Sequence, residues 1–149
     1  MRAVVQRVEY AEVKVEGQSV GRIGKGLMTL LAVGENDGQE DLDYMVDKVL
    51  GLRIFEDGDG KMNLSLRDIG GELLLVSQFT LYGDVRKGRR PSFSTSARPD
   101  LANKLYEAFI DQARQEGIKT EAGVFGADMD VSLLNQGPVT IMLDSEKTF

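Results

Sequence analysis

The chain has 149 residues, of which 42% are hydrophobic and 28% are charged, and its formal net charge at pH 7 is −6. This length fits one domain over residues 1–149 that buries about two-thirds of its unfolded surface. Cysteine and histidine are both absent, which excludes disulfides, thiolate zinc sites and catalysis by Ser-His-Asp or Cys-His groups. The acidic balance argues against a protein that coats itself in nucleic acid, but it allows a local basic site.

The first third of the chain is typical of β-structure. Glycines at positions 17, 24 and 26 separate short apolar or alternating segments, and alternation with period two indicates strands with one buried face. The predicted strands are Arg2–Val8, Ala11–Val15, Ser19–Ile23 and Leu27–Val33. No apolar run approaches the roughly 18 residues that cross a bilayer, and the first eight residues do not resemble a signal peptide. We therefore expect a cytoplasmic protein without a membrane partner.

A helix is predicted after the fourth strand. Asp37 is the expected N-cap, and the apolar residues that follow repeat at helical spacing up to Gly51, which is expected to close the helix. A short strand over Arg53–Glu56 and a turn over Asp57-Gly58-Asp59-Gly60 come next. The acidic turn lacks the remaining ligands of a calcium loop. No metal or cofactor is implied by the sequence.

The second half contains the clearest elements. Glu72–Ser77 is predicted to be a buried strand, and Pro99–Glu116 a helix that begins with proline and ends before glycine. Two further strands are predicted at Val131–Leu134 and Val139–Leu143. The order of the elements indicates an α/β fold with mixed sheets and a helical layer.

Ser77-Gln78-Phe79-Thr80 follows a buried strand, a frequent location for functional groups. One hypothesis makes Thr80 or Ser77 a nucleophile, and another makes the local main-chain N–H groups an oxyanion hole. The structural alternative is a turn whose hydroxyls bind nearby main-chain groups. A hydroxyl nucleophile has no histidine to activate it here, whereas an oxyanion hole of main-chain amides requires no particular side chain.

Gly137-Pro138 lies between the last two predicted strands. A tight turn is the simplest interpretation, since glycine adopts unusual dihedral angles and proline fixes its own. The functional alternative is a rigid unit that points a main-chain carbonyl in a fixed direction. Such a carbonyl suits recognition of a small ammonium group or rejection of one stereoisomer.

Two further features fit either structure or RNA binding. A basic loop carries four cations in an otherwise acidic chain, and it is either a solvated surface or a phosphate contact. Its members are Arg86, Lys87, Arg89 and Arg90. Phe125 and Met129 are flanked by glycine-containing sequence and belong either to the core or to a pocket that stacks on a base.

Five segments together resemble the D-aminoacyl-tRNA deacylase (D-tyrosyl-tRNA deacylase) family. The segments occur in the same order as in the family, from the first residue to about Leu143. Together they are far more specific than any single motif. The segments are Met1–Val8, Leu52–Asp57, Val76–Leu81, Phe125–Met129 and Asn135–Thr140. One departure is Gln136, where many members have Asp, and we expect it to affect activity little because it precedes the Gly-Pro unit.

The resemblance implies a three-layer β-β-α sandwich that hydrolyses the ester between a D-amino acid and the terminal adenosine of tRNA. It also implies deacylation of glycyl-tRNA(Ala). The partners implied are the aminoacylated 3′ end of tRNA and a second copy of the chain in a homodimer. Residues 77–80 of one subunit and Gly137-Pro138 of the other would form each site, with a cis Gly-Pro bond that excludes L-amino acids.

Two mechanisms exist for such a family. In one, Thr80 is the nucleophile; in the other, the 2′-hydroxyl of the terminal adenosine assists hydrolysis while amides near Phe79 and Thr80 stabilise the oxyanion. We favour the second, because the chain has no evident base for Thr80. Phe125 and Met129 match the family's adenine pocket. The basic loop is our own candidate for contacts with acceptor-stem phosphates.

Other classes of function remain open from the sequence. A protein that binds RNA ends without turnover would use the same basic loop. An L-aminoacyl editing enzyme or an amidase-like hydrolase on a related scaffold is a second alternative. Multiple turnovers and the chirality of the substrate distinguish these possibilities.

Overall fold

The computed structural model describes all 149 residues. Eight strands, three α-helices and one 3-10 helix form the fold. The strands are β1 (Arg2–Val15), β2 (Gln18–Ile23), β3 (Gly26–Ala32), β4 (Phe55–Glu56), β5 (Met62–Leu64), β6 (Glu72–Ser77), β7 (Thr120–Ala122) and β8 (Asp130–Asp144). The helices are α1 (Gln39–Gly51), α2 (Leu66–Ile69), the 3-10 helix (Phe79–Tyr82) and α3 (Pro99–Gln115).

Six strands form one mixed sheet. Its order is β2-β1-β3-β6-β7, with β8 also paired to β1, and β4 and β5 form a separate hairpin. The long strand β1 pairs with β3 through residues 2–8 and with β2 through residues 11–15, while β8 runs antiparallel along both parts. Strands β3, β6 and β7 are parallel to one another. β1 is therefore paired with three strands, β2, β3 and β8.

The sheet folds back on itself and has a helical layer on one side. β2 lies against β6 and β7 although it is hydrogen-bonded only to β1. The approach is close, since a Cβ atom on Gly21 of β2 would lie 3.0 Å from the main-chain O of Ala122. Seven buried residues of β1, β2, β3 and β6 pack together between the two β layers. A second cluster of 23 buried residues includes the inward faces of α1 and α3. The predicted α/β fold with three layers is therefore confirmed.

The start of α1 differs from the prediction. Asp37 is not the N-cap: Gly38 holds that position, and its amide donates to Oδ2 of Asp41 at 2.9 Å. The buried carboxylate of Asp37 instead accepts from the amide of Gly34 at 2.6 Å and pairs with the N-terminal ammonium of Met1 at 2.7 Å. The reason is electrostatic, since a fully buried ammonium requires a charged partner.

Several predicted elements have different bounds. Strands predicted at 2–8 and 11–15 are one strand, β1, and those at 131–134 and 139–143 are one strand, β8, because each continues along the other as its partner. The strand predicted at 53–56 is only two residues long. α2, β5, β7 and the 3-10 helix are not among the predicted elements, since each has four residues or fewer and carries no periodic signal. None of the helices is long and apolar enough to cross a membrane.

Candidate active site

The chain changes from strand to helix at the end of β6. Gln78 continues the pairing of β6 with β3, since its amide donates to the main-chain O of Leu31 at 2.8 Å. The 3-10 helix then begins, and its first hydrogen bond runs from the amide of Leu81 to the main-chain O of Gln78 at 3.2 Å. The amides of Phe79 and Thr80 therefore have no acceptor within the helix.

A pocket of about 640 Å³ opens beside this turn. The ends of β3 and β6, the loop before α3, the first two turns of α3 and the segment 125–131 line it. Thirteen of the 19 lining residues are hydrophobic. Asp128 is the only charged residue among the 19. This volume and apolar lining are typical of a binding site for a small molecule or one end of a larger ligand.

The four predicted catalytic residues have different positions relative to the pocket. Ser77, Gln78 and Phe79 line it, whereas Thr80 is exposed and does not. The hydroxyl of Thr80 accepts a hydrogen bond from the side-chain amide of Gln78. Neither Ser77 nor Thr80 is hydrogen-bonded to a carboxylate or an amine, so the structure offers no base for either hydroxyl.

Phe125 and Met129 also line the pocket. Both are half-buried. The ring of Phe125 packs against Tyr106 of α3, with ring centroids 5.9 Å apart and an interplanar angle of 44°. Phe79 and Phe93, which also line the pocket, meet edge to face with centroids 5.0 Å apart. Aromatic rings in the lining are suited to contact with a flat, apolar group.

Gly137 and Pro138 lie on a bulge of β8. Gln6 of β1 pairs with Thr140 and Val8 pairs with Asn135, so four residues of β8 lie opposite a single residue of β1. Both residues of the Gly-Pro unit are exposed, and neither lines the pocket of its own chain. The peptide bond between them is cis.

Arg7 lies behind this bulge and is only 5% exposed. Its Nε donates to the main-chain O of Gln136 at 3.2 Å, and its Nη1 donates to the main-chain O of Ile54 at 2.7 Å. Gly137 has a φ of +120°, and a Cβ atom there would lie 2.7 Å from Nη2 of Arg7. Only glycine fits this position without displacing the guanidinium.

Asn135 ties the two ends of the bulge together. Its Oδ1 accepts from the amide of Val139 at 3.1 Å, and its Nδ2 donates to the hydroxyl of Thr140 at 3.0 Å. Gln136 takes part only through its main-chain carbonyl, which accepts from Arg7. The side chain at position 136 is thus not needed for the contact with Arg7.

The basic loop is exposed and is closed by one bridge between Asp84 and Ser92. Within it, Arg86 donates to both carboxylate oxygens of Asp84, at 2.9 and 2.7 Å. These hydrogen bonds lower the pKa of Asp84 to about 2. Lys87, Arg89 and Arg90 form no ion pair. Three of the four cations are therefore free to bind an anion.

The sequence profile of the D-Tyr-tRNA(Tyr) deacylase family matches residues 4–144. A D-aminoacyl-tRNA deacylase of Thermosipho africanus is 61% identical over 149 residues, which cover all of both chains. A D-aminoacyl-tRNA deacylase of Clostridioides difficile is also 61% identical over the full length of both chains. The chain belongs to the D-Tyr-tRNA(Tyr) deacylase family. The resemblance inferred from the sequence motifs is confirmed, and the protein is a hydrolase.

Two solved structures have a similar fold. The structure of a c-Myc DNA unwinding element binding protein has a TM-score of 0.91 and 42% identity, with 97% of this chain and 98% of that chain covered. A probable eukaryotic D-amino acid tRNA deacylase has a TM-score of 0.82 at 22% identity, with 95% and 97% coverage. The second likeness concerns the fold alone.

Sequence reasoning missed three residues around the site. Tyr106 lines the pocket, Phe93 packs against Phe79, and Arg7 supports the Gly-Pro bulge. Tyr106 was detectable only as one more apolar residue on the inner face of α3. Arg7 carries a stronger signal of a special role, because it occupies an inward position of an alternating strand and a buried cation needs several acceptors.

Proposed function

We propose that the protein hydrolyses the ester of D-aminoacyl-tRNA and frees the D-amino acid and the tRNA. The main support is the position of the Phe79 and Thr80 amides, which lack helical acceptors, at the edge of a largely apolar pocket. Such amides stabilise the negative charge that develops on a carbonyl oxygen during acyl transfer. Family membership supplies the class of ester.

Catalysis rests on these amides and on the substrate itself. Water adds to the ester carbonyl, the oxyanion accepts from the amides of Phe79 and Thr80, and the bond to the ribose oxygen then breaks. The proton that the attacking water loses is taken up by the leaving ribose oxygen, and the amino acid leaves with its new carboxyl group. The neighbouring 2′-hydroxyl assists, since Ser77 and Thr80 contact no base.

The pocket takes the terminal adenosine. Phe125 and Met129 line the same pocket as Ser77, Gln78 and Phe79, and their half-buried side chains offer apolar surface to a purine. Stacking of a base on such surface contributes about 1–3 kcal/mol. Holding the base also holds the ester next to the amides, because base and ester belong to one nucleotide.

Chiral selection comes from Gly137-Pro138 of a second copy of the chain in a homodimer. The unit is exposed on a rigid bulge and lies outside the pocket of its own chain, which suits insertion into a partner's pocket. A fixed main-chain wall rejects one stereoisomer by collision and needs no contact with the D side chain. Glycine has no side chain to collide, so glycyl-tRNA(Ala) is also deacylated.

The basic loop binds phosphates of the acceptor stem. Lys87, Arg89 and Arg90 are the contributing cations, because Arg86 is already paired with Asp84. Each phosphate neutralised by such a cation makes binding more sensitive to salt. This local positive charge offsets the net charge of −6 when a polyanion approaches.

The decisive experiment measures release of tyrosine from D-tyrosyl-tRNA and L-tyrosyl-tRNA, with each tRNA in excess over the protein. We expect several turnovers on the D form and none above background on the L form. Equal hydrolysis of both forms would refute the chiral filter. Absence of turnover on either form, with tRNA still bound, would instead favour a protein that only binds RNA ends.

A further inference from the structure

The hydroxyl of Tyr106 connects two chain segments that lead into the pocket lining. Tyr106 lies on α3, is 2% exposed and lines the pocket. Its Oη lies 3.0 Å from the main-chain O of Leu75 and 3.0 Å from the main-chain O of Gly123. One buried side chain thus contacts two segments that are far apart in sequence.

Each contacted carbonyl belongs to a segment that leads into the site. Leu75 lies on β6, two residues before Ser77, where the catalytic turn starts. Gly123 precedes Phe125 by two residues and begins the segment 123–129, which carries Phe125 and Met129. A main-chain hydrogen bond from Gly123 to Leu75, at 3.0 Å, meets the tyrosine hydroxyl at the same carbonyl.

The ring and the hydroxyl of Tyr106 have separate contacts. The ring packs in the main core and against Phe125, and a phenylalanine would keep that packing. Burial raises the pKa of Tyr106, so the hydroxyl stays protonated and able to donate. Removal of the hydroxyl leaves a buried carbonyl with one donor fewer, which favours movement of the less regular segment, 123–129.

We propose that Tyr106 is a positioning residue that fixes the base-binding wall, the segment 123–129, at a set distance from the amides of Phe79 and Thr80. This inference rests on the proposed function, since it assigns the base to that segment and the ester to the turn after β6. A substrate held by its base at the segment 123–129 reaches the amides only when this segment and the turn after β6 are correctly spaced. Loss of the hydroxyl therefore impairs the chemical step more than it impairs binding.

The test is Tyr106→Phe in the full chain, with kcat and KM measured separately on D-tyrosyl-tRNA. We expect kcat to fall about tenfold, as small displacements of a reacting group do, with KM within about twofold because the wall remains present. Phe109→Leu is the matched control, since Phe109 is fully buried in the core on the same helix. It should lower thermal stability and leave kcat unchanged.

Incorporation of p-aminophenylalanine at position 106 restores a donor at the same place and should restore kcat. The inference is overturned if Tyr106→Phe folds with kcat within twofold of the wild type, or if Phe109→Leu lowers kcat equally. If Tyr106→Phe does not fold, the amino variant decides: a folded protein with low kcat overturns it, and one with normal kcat supports it. Failure of the proposed function is distinguishable from failure of this inference, because the wild type would then release no D-tyrosine.

Discussion

The turn after β6 and the bulge in β8 both fix main-chain groups in space, but they face different surroundings. The turn leaves the amides of Phe79 and Thr80 without helical acceptors beside the pocket of their own chain. The bulge holds Gly137 and Pro138 on the surface, away from that pocket, with Arg7 buried behind them. The amides that suit the reaction thus lie beside the pocket of their own chain. The Gly-Pro unit that suits selection lies on the surface, away from that pocket.

This difference has a consequence for substitutions. Changes at the bulge should alter which substrates react, and changes to side chains at the turn should have little effect as long as its amides stay in place. The chain departs from common enzymes in this respect, since it contains no histidine or cysteine to act as a side-chain catalyst. Substitutions that move the main chain should therefore be the most damaging.

The largest effect is expected from Gly137→Ala. A φ of +120° is unfavourable for alanine, and the new Cβ atom would lie 2.7 Å from Nη2 of Arg7. We expect the ratio of kcat/KM for D- and L-tyrosyl-tRNA to fall on the order of 100-fold, because a shift of about 1 Å in a positioning group has an effect of that size.

Gly17→Ala is the control for backbone strain. Gly17 has a φ of +78°, and a Cβ atom at this position would have no heavy atom within 4 Å, so the substitution strains the backbone without a collision. It should reduce stability by about 1 kcal/mol and leave both rates unchanged. Equal D/L discrimination in the wild type and in Gly137→Ala would contradict the role of the bulge.

Arg7→Met should have the next largest effect. The substitution keeps an apolar stem but removes the donors to Gln136 and Ile54. We expect D/L discrimination to fall about tenfold, together with a loss of about 1.5–3 kcal/mol in the free energy of unfolding. Competition between the two tyrosyl-tRNAs and denaturant titration measure these quantities.

Arg22→Met is a suitable comparison for Arg7→Met. Arg22 is exposed and pairs with Glu12 at 3.7 Å, an ion pair that contributes at most about 1 kcal/mol. Its loss should change neither discrimination nor activity. If Arg7→Met lowered stability but kept full discrimination, Arg7 would support the fold without shaping the bulge.

The sequence predicted the central elements of the fold better than its edges. Glu72–Ser77 and the helix from Pro99 were predicted within one residue, because an uninterrupted apolar run and a proline start define them. β8 was divided in two, since Gly137-Pro138 interrupts the alternation. Only the long partner strand β1 keeps the two halves in one sheet. A short stretch of sequence does not encode pairing with a strand that is distant along the chain.

The site was predictable to the extent that family motifs marked it. Ser77, Gln78, Phe79, Phe125 and Met129 all line one pocket, and the spacing of these residues alone does not bring them together. Tyr106 carries no local signal, because its hydrogen bonds depend on the tertiary arrangement of β6 and the segment after β7. Contacts between distant segments are what sequence patterns lack.

Neutralisation of the basic loop should have a smaller effect than either change at the bulge. In a variant with Lys87, Arg89 and Arg90 replaced by glutamine, we expect a few-fold increase in KM. The dependence of binding on salt should weaken by about 0.7–0.9 in log–log slope for each phosphate that the loop no longer neutralises. Arg86→Gln is the matched control and should change the slope least, since Asp84 already neutralises this residue. An unchanged slope in the triple variant would exclude the loop as the site that binds phosphates.

The smallest effect is expected from Thr80→Ala. The side chain is exposed, lies outside the pocket lining and is hydrogen-bonded only to Gln78, whereas the amide of residue 80 is retained by alanine. We expect kcat on D-tyrosyl-tRNA to stay within about threefold of the wild type, less than the roughly 100- to 1000-fold that follows loss of an oxyanion donor. Complete loss of turnover in a folded variant that still binds tRNA would instead make the hydroxyl the nucleophile. Because alanine removes the hydroxyl and keeps the amide, this substitution separates the two mechanisms.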